Sequence, residues 1–239
     1  MPITFNKQNM TFTINTENTT YQMAVVEYGL LTHLYYGQRV KNGTDLTYLL
    51  NRHTAMRAST YNEIPYEEFE KGAARLCPQA RFQEYSTFGI GDRRTPCLIG
   101  RFANGGGTID LRYHSHKIIH SKPALMGLPS VYANENEKAH TLIIKMKDKA
   151  EKLFVELYYS IIDGHDMIMR SQKIINKTGK PFFINSALSF NLDIRRSDLD
   201  LISLYGKSNN ENVDLYRGFR INNYVNRIFF NDWWIINNI

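Results

Sequence analysis

The side chains of this sequence best suited to holding a metal are Asp110, His114, His116 and His120. In an extended strand the two-residue repeat would set Asp110, His114 and His116 on one face, with His120 following. Imidazole with carboxylate is a donor set for divalent transition metals. Two pairs of carboxylates, Asp163 with Asp166 and Asp198 with Asp200, are close enough in sequence for paired acid/base work. Both pairs stand in turns or at loop starts, where aspartate is favoured because its side chain bonds nearby backbone, so their expected role is structural. Ser59, Ser86 and Cys97 have no nucleophile-elbow or histidine-partner signature around them. His33 precedes an aromatic run and is expected to be partly buried and hydrogen-bonded. Asn104 followed by Gly105, Gly106 and Gly107 reads as a β-turn, and no Lys-Ser or Lys-Thr follows to make a phosphate loop.

The elements that would position these residues are strands. Thr11 to Asn15, Tyr21 to Val26 and His33 to Tyr36 are short β-prone runs separated by Asn/Thr-rich residues and by Tyr28-Gly29. A clearer hairpin series follows: Thr141 to Lys147, Leu153 to Ile162, Met167 to Ile175 and Phe182 to Leu192, punctuated by turn signals at Asp148, Asp163-Gly164 and Asn176 to Gly179. In the second of these, Leu153, Val155, Leu157, Tyr159 and Ile161 share one face and are expected in the core, while Glu156 and Ser160 take the other. Turn signals about every 10 to 15 residues, with no strand-helix alternation, predict an all-β antiparallel sandwich. Only the stretch around Tyr66 to Leu76 could form a short helix, and Pro65 and Pro78 limit it.

A chain of 239 residues that is 43% hydrophobic and 22% charged can bury a real core in one large or two small domains. Its start lacks the charged and apolar runs of a secretory signal, and no segment approaches the roughly 18 apolar residues that span a membrane, so a cytoplasmic location without membrane contact is expected. Cys77 and Cys97 show no Cys-x-x-Cys spacing and are expected as free thiols. A formal charge of +6 raises the question of nucleic acid. Binding to a polyanion requires a basic patch, however, and here Arg93-Arg94 and Arg195-Arg196 are isolated while Lys145, Lys147, Lys149 and Lys152 are interleaved with Asp148 and Glu151. A solvated surface, with no nucleic-acid partner, is the expectation.

Several segments resemble, in order, motifs of the glycoside hydrolase family 36 α-galactosidases. Leu31-Thr-His-Leu-Tyr-Tyr-Gly37, Asp45-Leu-Thr-Tyr-Leu-Leu50, Gly91-Asp-Arg-Arg-Thr-Pro96, Asp110-Leu-Arg-Tyr-His-Ser-His116, Lys122-Pro-Ala-Leu-Met-Gly-Leu-Pro129, Ala187-Leu-Ser-Phe-Asn-Leu-Asp193 and Asp198-Leu-Asp-Leu-Ile-Ser-Leu204 all have close counterparts there. The resemblance covers roughly residues 3 to 219. It implies the N-terminal β-supersandwich, similar to galactose-mutarotase-like domains and incomplete at its C-terminal end, which precedes a catalytic barrel. Retaining glycosidases need two carboxylates about 5 to 5.5 Å apart, and in this family both belong to the barrel. The resemblance therefore assigns no catalytic residue, no cofactor and no metal to this chain, the Asp110, His114 and His116 motif not being a metal site in that family. It implies a galactoside substrate only in the intact enzyme, a catalytic-barrel polypeptide as partner, and a homo-oligomer.

Two departures from the family pattern leave the substrate-binding residues unassigned. The family aspartate that precedes a Phe-Ser pair and reaches the galactose site has no counterpart, since Leu46 to Asn62 contains no carboxylate. Where the family has Gly-Ala-Trp, this chain has Gly206-Lys-Ser208, and serine cannot supply an indole's apolar contact to a sugar. Domain boundaries are expected at 1–219 for the sandwich and 220–239 for a divergent tail. In that tail Asn becomes abundant, Trp233-Trp234 occur together and alternation is lost. A reading-frame change soon after Phe219 would produce it, as would natural divergence, and the nucleotide sequence distinguishes the two. Two other functions fit a sandwich: an autonomous carbohydrate-binding module, detectable by calorimetric titration with galactosides, and a mutarotase-like enzyme, which would need an acid and a base converging in one cleft.

Overall fold

The computed structural model describes residues 1–50, 82–92, 95–128 and 130–194, and the backbone of three short strands beyond them. Strands β1 (Ile3–Asn6), β2 (Thr11–Asn15), β3 (Thr19–Val26) and β4 (Leu30–Gln38) form a four-stranded antiparallel meander. Strands β6 (Leu111–Ile119), β7 (Ala139–Asp148), β8 (Leu153–Ile162) and β9 (Met169–Asn176) form a second one. Between these in sequence lies β5 (Leu98–Phe102), which pairs with β10 (Phe182–Ala187). Further on, β11 (Leu192–Ile194) pairs with β14 (Asn226–Ile228), and β12 (Leu201–Tyr205) with β13 (Val213–Arg217), all antiparallel. The expected antiparallel β-sandwich is the observed fold.

The two meanders pack face to face because each carries one apolar face. Phe12 and Ile14 of β2 stand opposite Met23 and Tyr21 of β3 in register, and all four are buried. From the other sheet come Leu142, Ile144 and Met146 of β7 and Leu153, Val155, Leu157, Tyr159 and Ile161 of β8, in one continuous cluster with the first set. The inward face of β8 is the one that strand alternation predicts. Sequence-based boundaries were accurate for β2 and β8 and shorter than observed for β3, β4 and β7.

Turns take the residues their geometry requires. Asp148 ends β7 by accepting the backbone N–H groups of Ala150 and Glu151 on Oδ1 at 3.0 and 2.7 Å, and that of Asp110 on Oδ2 at 2.7 Å. One buried carboxylate thus closes a hairpin and anchors the start of β6. Gly105 sits at φ +87 in the β-turn expected there, donating to the Phe102 carbonyl at 2.9 Å.

The run expected from Phe182 to Leu192 is not one strand. Pairing of β10 with β5 slips between Ile184 and Ser186, β10 ends at Ala187, and the Leu188 N–H turns to the Cys97 carbonyl at 2.7 Å. The chain then crosses with Asn191 buried, its side-chain amide donating to the Gln83 carbonyl, and starts β11 in a different sheet. The stretch expected as a divergent tail contributes β14 to that same sheet. The helix considered near Tyr66 to Leu76, Cys77, Ser59 and both adjacent-arginine pairs lie outside the described residues.

Candidate functional site

Among the described residues the densest chemistry lies between the sheets. The segment 82–87 threads between two strand edges: His33 N–H donates to Phe82 O at 2.7 Å, Glu84 N–H to Leu31 O at 3.1 Å and Cys97 N–H to Ser86 O at 2.9 Å. These backbone bonds on both sides aim the Glu84 side chain inward. Strand alternation brings Tyr21 from β3 and His33 from β4 to the same spot, and Tyr159 and Arg170, opposite each other across β8 and β9, from the other sheet.

Glu84 is fully buried, and Arg170 is only 7% exposed. The Arg170 guanidinium approaches Glu84 Oε1 at 2.9 Å. Tyr159 donates its phenol to the same oxygen at 2.7 Å, and the Tyr21 hydroxyl straddles both carboxylate oxygens at 2.7 Å each. His33 Nδ1 stands 3.5 Å from Oε2. The guanidinium also lies over the Tyr159 and Phe190 rings, 4.6 and 4.9 Å from their centroids. Burial by itself would raise the Glu84 carboxyl, but the attraction of Arg170 and the bonds from His33 and Tyr21 outweigh it and hold the carboxyl below its ordinary value of 4.5. Burial pushes the phenols of Tyr21, Tyr85 and Tyr159 well above 10.0.

This arrangement clamps but does not catalyse. A general acid or base must reach its substrate, whereas Glu84 and Tyr159 are sealed from solvent. Of the clamp's residues only Arg170 and Tyr21 border an open cleft, of about 330 Å³, lined also by Tyr36, Asp166, Ile168 and Phe190. Asp166 is already engaged there, accepting from the Thr16 hydroxyl at 2.7 Å and from the backbone and side-chain N–H groups of Asn18. Asp163, its expected companion, rests 3.6 Å from His140 Nε2. Asp198 and Asp200 lie outside the described residues, as do Arg93, Arg94, the segment in which the family aspartate falls beyond Leu50, and Gly206-Lys-Ser208.

The structure corrects the expected grouping of Asp110, His114, His116 and His120. The register of β6 against β7 shifts between Tyr113 and Ser115, so His114 is the extra residue of a bulge. The bulge reverses the alternation. His116 turns inward against Phe5 and Phe12, with ring centroids 4.2 and 4.8 Å away, and bonds the Tyr113 hydroxyl at 2.7 Å. His114 instead packs against Phe154, on the other side of the sheet. Asp110 is paired with Arg112, and His120 with His140, each beyond the others' reach as a single donor set. His33, expected to be partly buried and hydrogen-bonded, is buried with Nδ1 3.5 Å from the Glu84 carboxylate, and Cys97 is a buried thiol outside any disulfide that accepts from Ser86 Oγ at 3.9 Å.

Glu84, Arg170 and His140 are not singled out by sequence. The one available signal is Tyr159: a tyrosine assigned to a core face needs a partner for its hydroxyl. Nothing local says that the partner is a glutamate 75 residues earlier.

Residues 29–214 match the family model of the glycosyl hydrolase family 36 N-terminal domain. The chain belongs to this family. Alpha-galactosidase Mel36A of Lactobacillus acidophilus is 29% identical to it over 218 residues, covering 87% of this chain and 28% of that protein. The bifunctional alpha-galactosidase/sucrose kinase AgaSK of Mediterraneibacter gnavus is 35% identical over 209 residues, covering 87% of this chain and 21% of that protein. The crystal structure of the alpha-galactosidase from Lactobacillus brevis superposes with a TM-score of 0.80 at 28% identity, covering 91% of this chain and 28% of that one. The glycosyl hydrolase family 36 N-terminal domain described here therefore spans about a quarter of the length of the curated relatives it matches. No helix among its described residues is long and apolar enough to cross a membrane.

Proposed function

We propose that this chain serves as the non-catalytic N-terminal domain of an α-galactosidase acting on terminal α-galactosyl residues of melibiose- or raffinose-type sugars. It hydrolyses nothing alone and works by packing on a catalytic-barrel polypeptide within a cytoplasmic homo-oligomer. Residues 1–219 form the working domain and 220–239 a divergent tail. The observation that supports this reading most is the family match over 29–214, to relatives of which the chain spans about a quarter. The inward clamp of Glu84 and Arg170 suits the role, because it stiffens the sandwich without offering a reactive group to solvent.

The test is a galactose-release assay on melibiose. The purified chain is expected to give only the blank rate. Galactose release by the chain alone would overturn the proposal, and so would a relative's isolated barrel that neither binds this chain nor gains activity from it.

The cleft beside Arg170 favours a second reading, an autonomous carbohydrate-binding module. Tyr36 at its wall is 49% exposed and offers a ring face of the kind that stacks on sugars. Calorimetric titration with galactose or melibiose distinguishes the two: saturable heat that disappears in Tyr36→Ala supports the module, and its absence supports the packing role.

A further inference from the structure

At the end of the second sheet, His120 and His140 meet across neighbouring strands. The pairing of Ile119 with Thr141 carries them to facing positions, and their Nδ1 atoms lie 3.0 Å apart with the rings nearly perpendicular, at 87°. His140 is the better held of the two, with its side chain 13% exposed and its other nitrogen, Nε2, 3.6 Å from the Asp163 carboxylate. His120 stands exposed at the surface, where an ion can reach it.

We propose that His120 and His140 form a two-histidine site for a divalent transition metal of the Cu2+ or Ni2+ class, with Asp163 orienting His140. Two imidazole nitrogens bind the same ion when their lone pairs converge about 2.0 to 2.1 Å away. At the observed 3.0 Å separation such bonds would subtend roughly 95° at the ion. That angle is near the right angle of tetragonal Cu2+ or Ni2+ and tighter than a tetrahedral zinc site requires. In the metal-free chain one ring donates a proton to the other, so the ion replaces a single shared proton and a small tilt of each ring suffices. A carboxylate on the far nitrogen of a ligating histidine fixes its tautomer and raises its basicity, which is the position of Asp163. Asp163 is itself fixed by its turn, its N–H donating to Lys138 O at 2.9 Å, with Gly164 at φ +82 behind it. Among the described residues no group of three or more His, Cys, Asp or Glu side chains is placed to hold a metal, so water completes the coordination and the site is open to exchange.

The experiment is titration of the full chain with Cu2+, read by calorimetry and by electron paramagnetic resonance. The expected result is one equivalent bound, with nitrogen hyperfine splitting. His120→Ala and His140→Ala should each weaken it by roughly tenfold or more and alter the splitting, and Asp163→Asn should weaken it by about tenfold. His114→Ala, on the same strand but turned to Phe154, should bind as the unaltered chain does. The altered residues lie at the sheet's rim, and a thermal melt checks that each variant folds. Unchanged binding and spectrum in both His120→Ala and His140→Ala would overturn the site, as would no binding by the unaltered chain. Unchanged affinity in Asp163→Asn would overturn the part given to Asp163.

Discussion

A buried carboxylate in this protein is stable only because four side chains far apart in sequence converge on it. Removing Glu84 and Arg170 together would delete a desolvation cost along with an attraction, whereas removing one leaves the other's charge buried and unpaired. Arg170→Met is therefore expected to destabilise the fold by about 3 to 5 kcal/mol, and Glu84→Gln with Arg170→Met together by less than Arg170→Met alone. Urea denaturation of the three proteins checks this, and a double variant less stable than the Arg170→Met single would refute the clamp. The tyrosines around the clamp set the alkaline limit. Because the phenols of Tyr21, Tyr85 and Tyr159 are raised above 10.0 when folded, the unfolded chain loses those protons first. Stability is then fully present below pH 10 and falls as pH rises above it. In a spectrophotometric titration these three should ionise only together with unfolding. Glu84 acts with the opposite sign: its carboxyl lies below 4.5 in the folded state, so its contribution is present above that pH and is lost as acid protonates it.

Among the described elements, a backbone constraint lies where the turn at 88–90 meets the residue before β6. Gly89 donates its N–H to the Ile109 carbonyl at 2.9 Å, and a Cβ at Gly89 would run into that carbonyl and the Asp110 nitrogen. Backbone on both sides cannot yield as a flexible side chain could. Gly89→Ala is expected to lower stability by about 1 to 3 kcal/mol. Gly107→Ala, whose Cβ would meet only the Gly100 carbonyl at 3.4 Å, should be tolerated, and thermal melts of the two variants compare them directly. The strands themselves were legible wherever one face alternates, as from Leu153 to Ile161, since burying every second residue leaves its mark in sequence. The bulge at His114 left no such mark: strict alternation puts His114 and His116 on one face, and one extra residue reverses it. Nor could Glu84 be read, flanked by Gln83, Tyr85 and Ser86 like any polar loop residue. Its burial comes from backbone pairing of residues 82–87 with β4 and β5, and its side-chain partners come from β3, β4, β8 and β9. His120 was legible as a metal-binding type, but His140 depends on the register of β6 and β7.

At the scale of the whole molecule, the sandwich hides its core well and leaves apolar surface elsewhere. Phe183 and Ile184 on β10 are 55% and 51% exposed, while Phe182 beside them turns inward, its ring 5.1 Å from that of Phe102. Met126 and Tyr132, in the loop after β6, are 91% and 70% exposed. Apolar side chains clustered on a strand drive association, and burying one Phe or Ile is worth about 1.5 to 3 kcal/mol. The purified chain is therefore expected to self-associate as its concentration rises. Phe183→Ser with Ile184→Thr should raise the dissociation constant by roughly tenfold or more, because the two side chains contribute to binding between molecules and little to the fold. Sedimentation velocity over a concentration series measures it, with melting temperature as the check that the double variant still folds. If the unaltered chain stays a sharp monomer throughout, its exposed strand is not sticky. If the double variant associates as strongly as the parent, the contact lies elsewhere, and Met126 and Tyr132 become the side chains to replace.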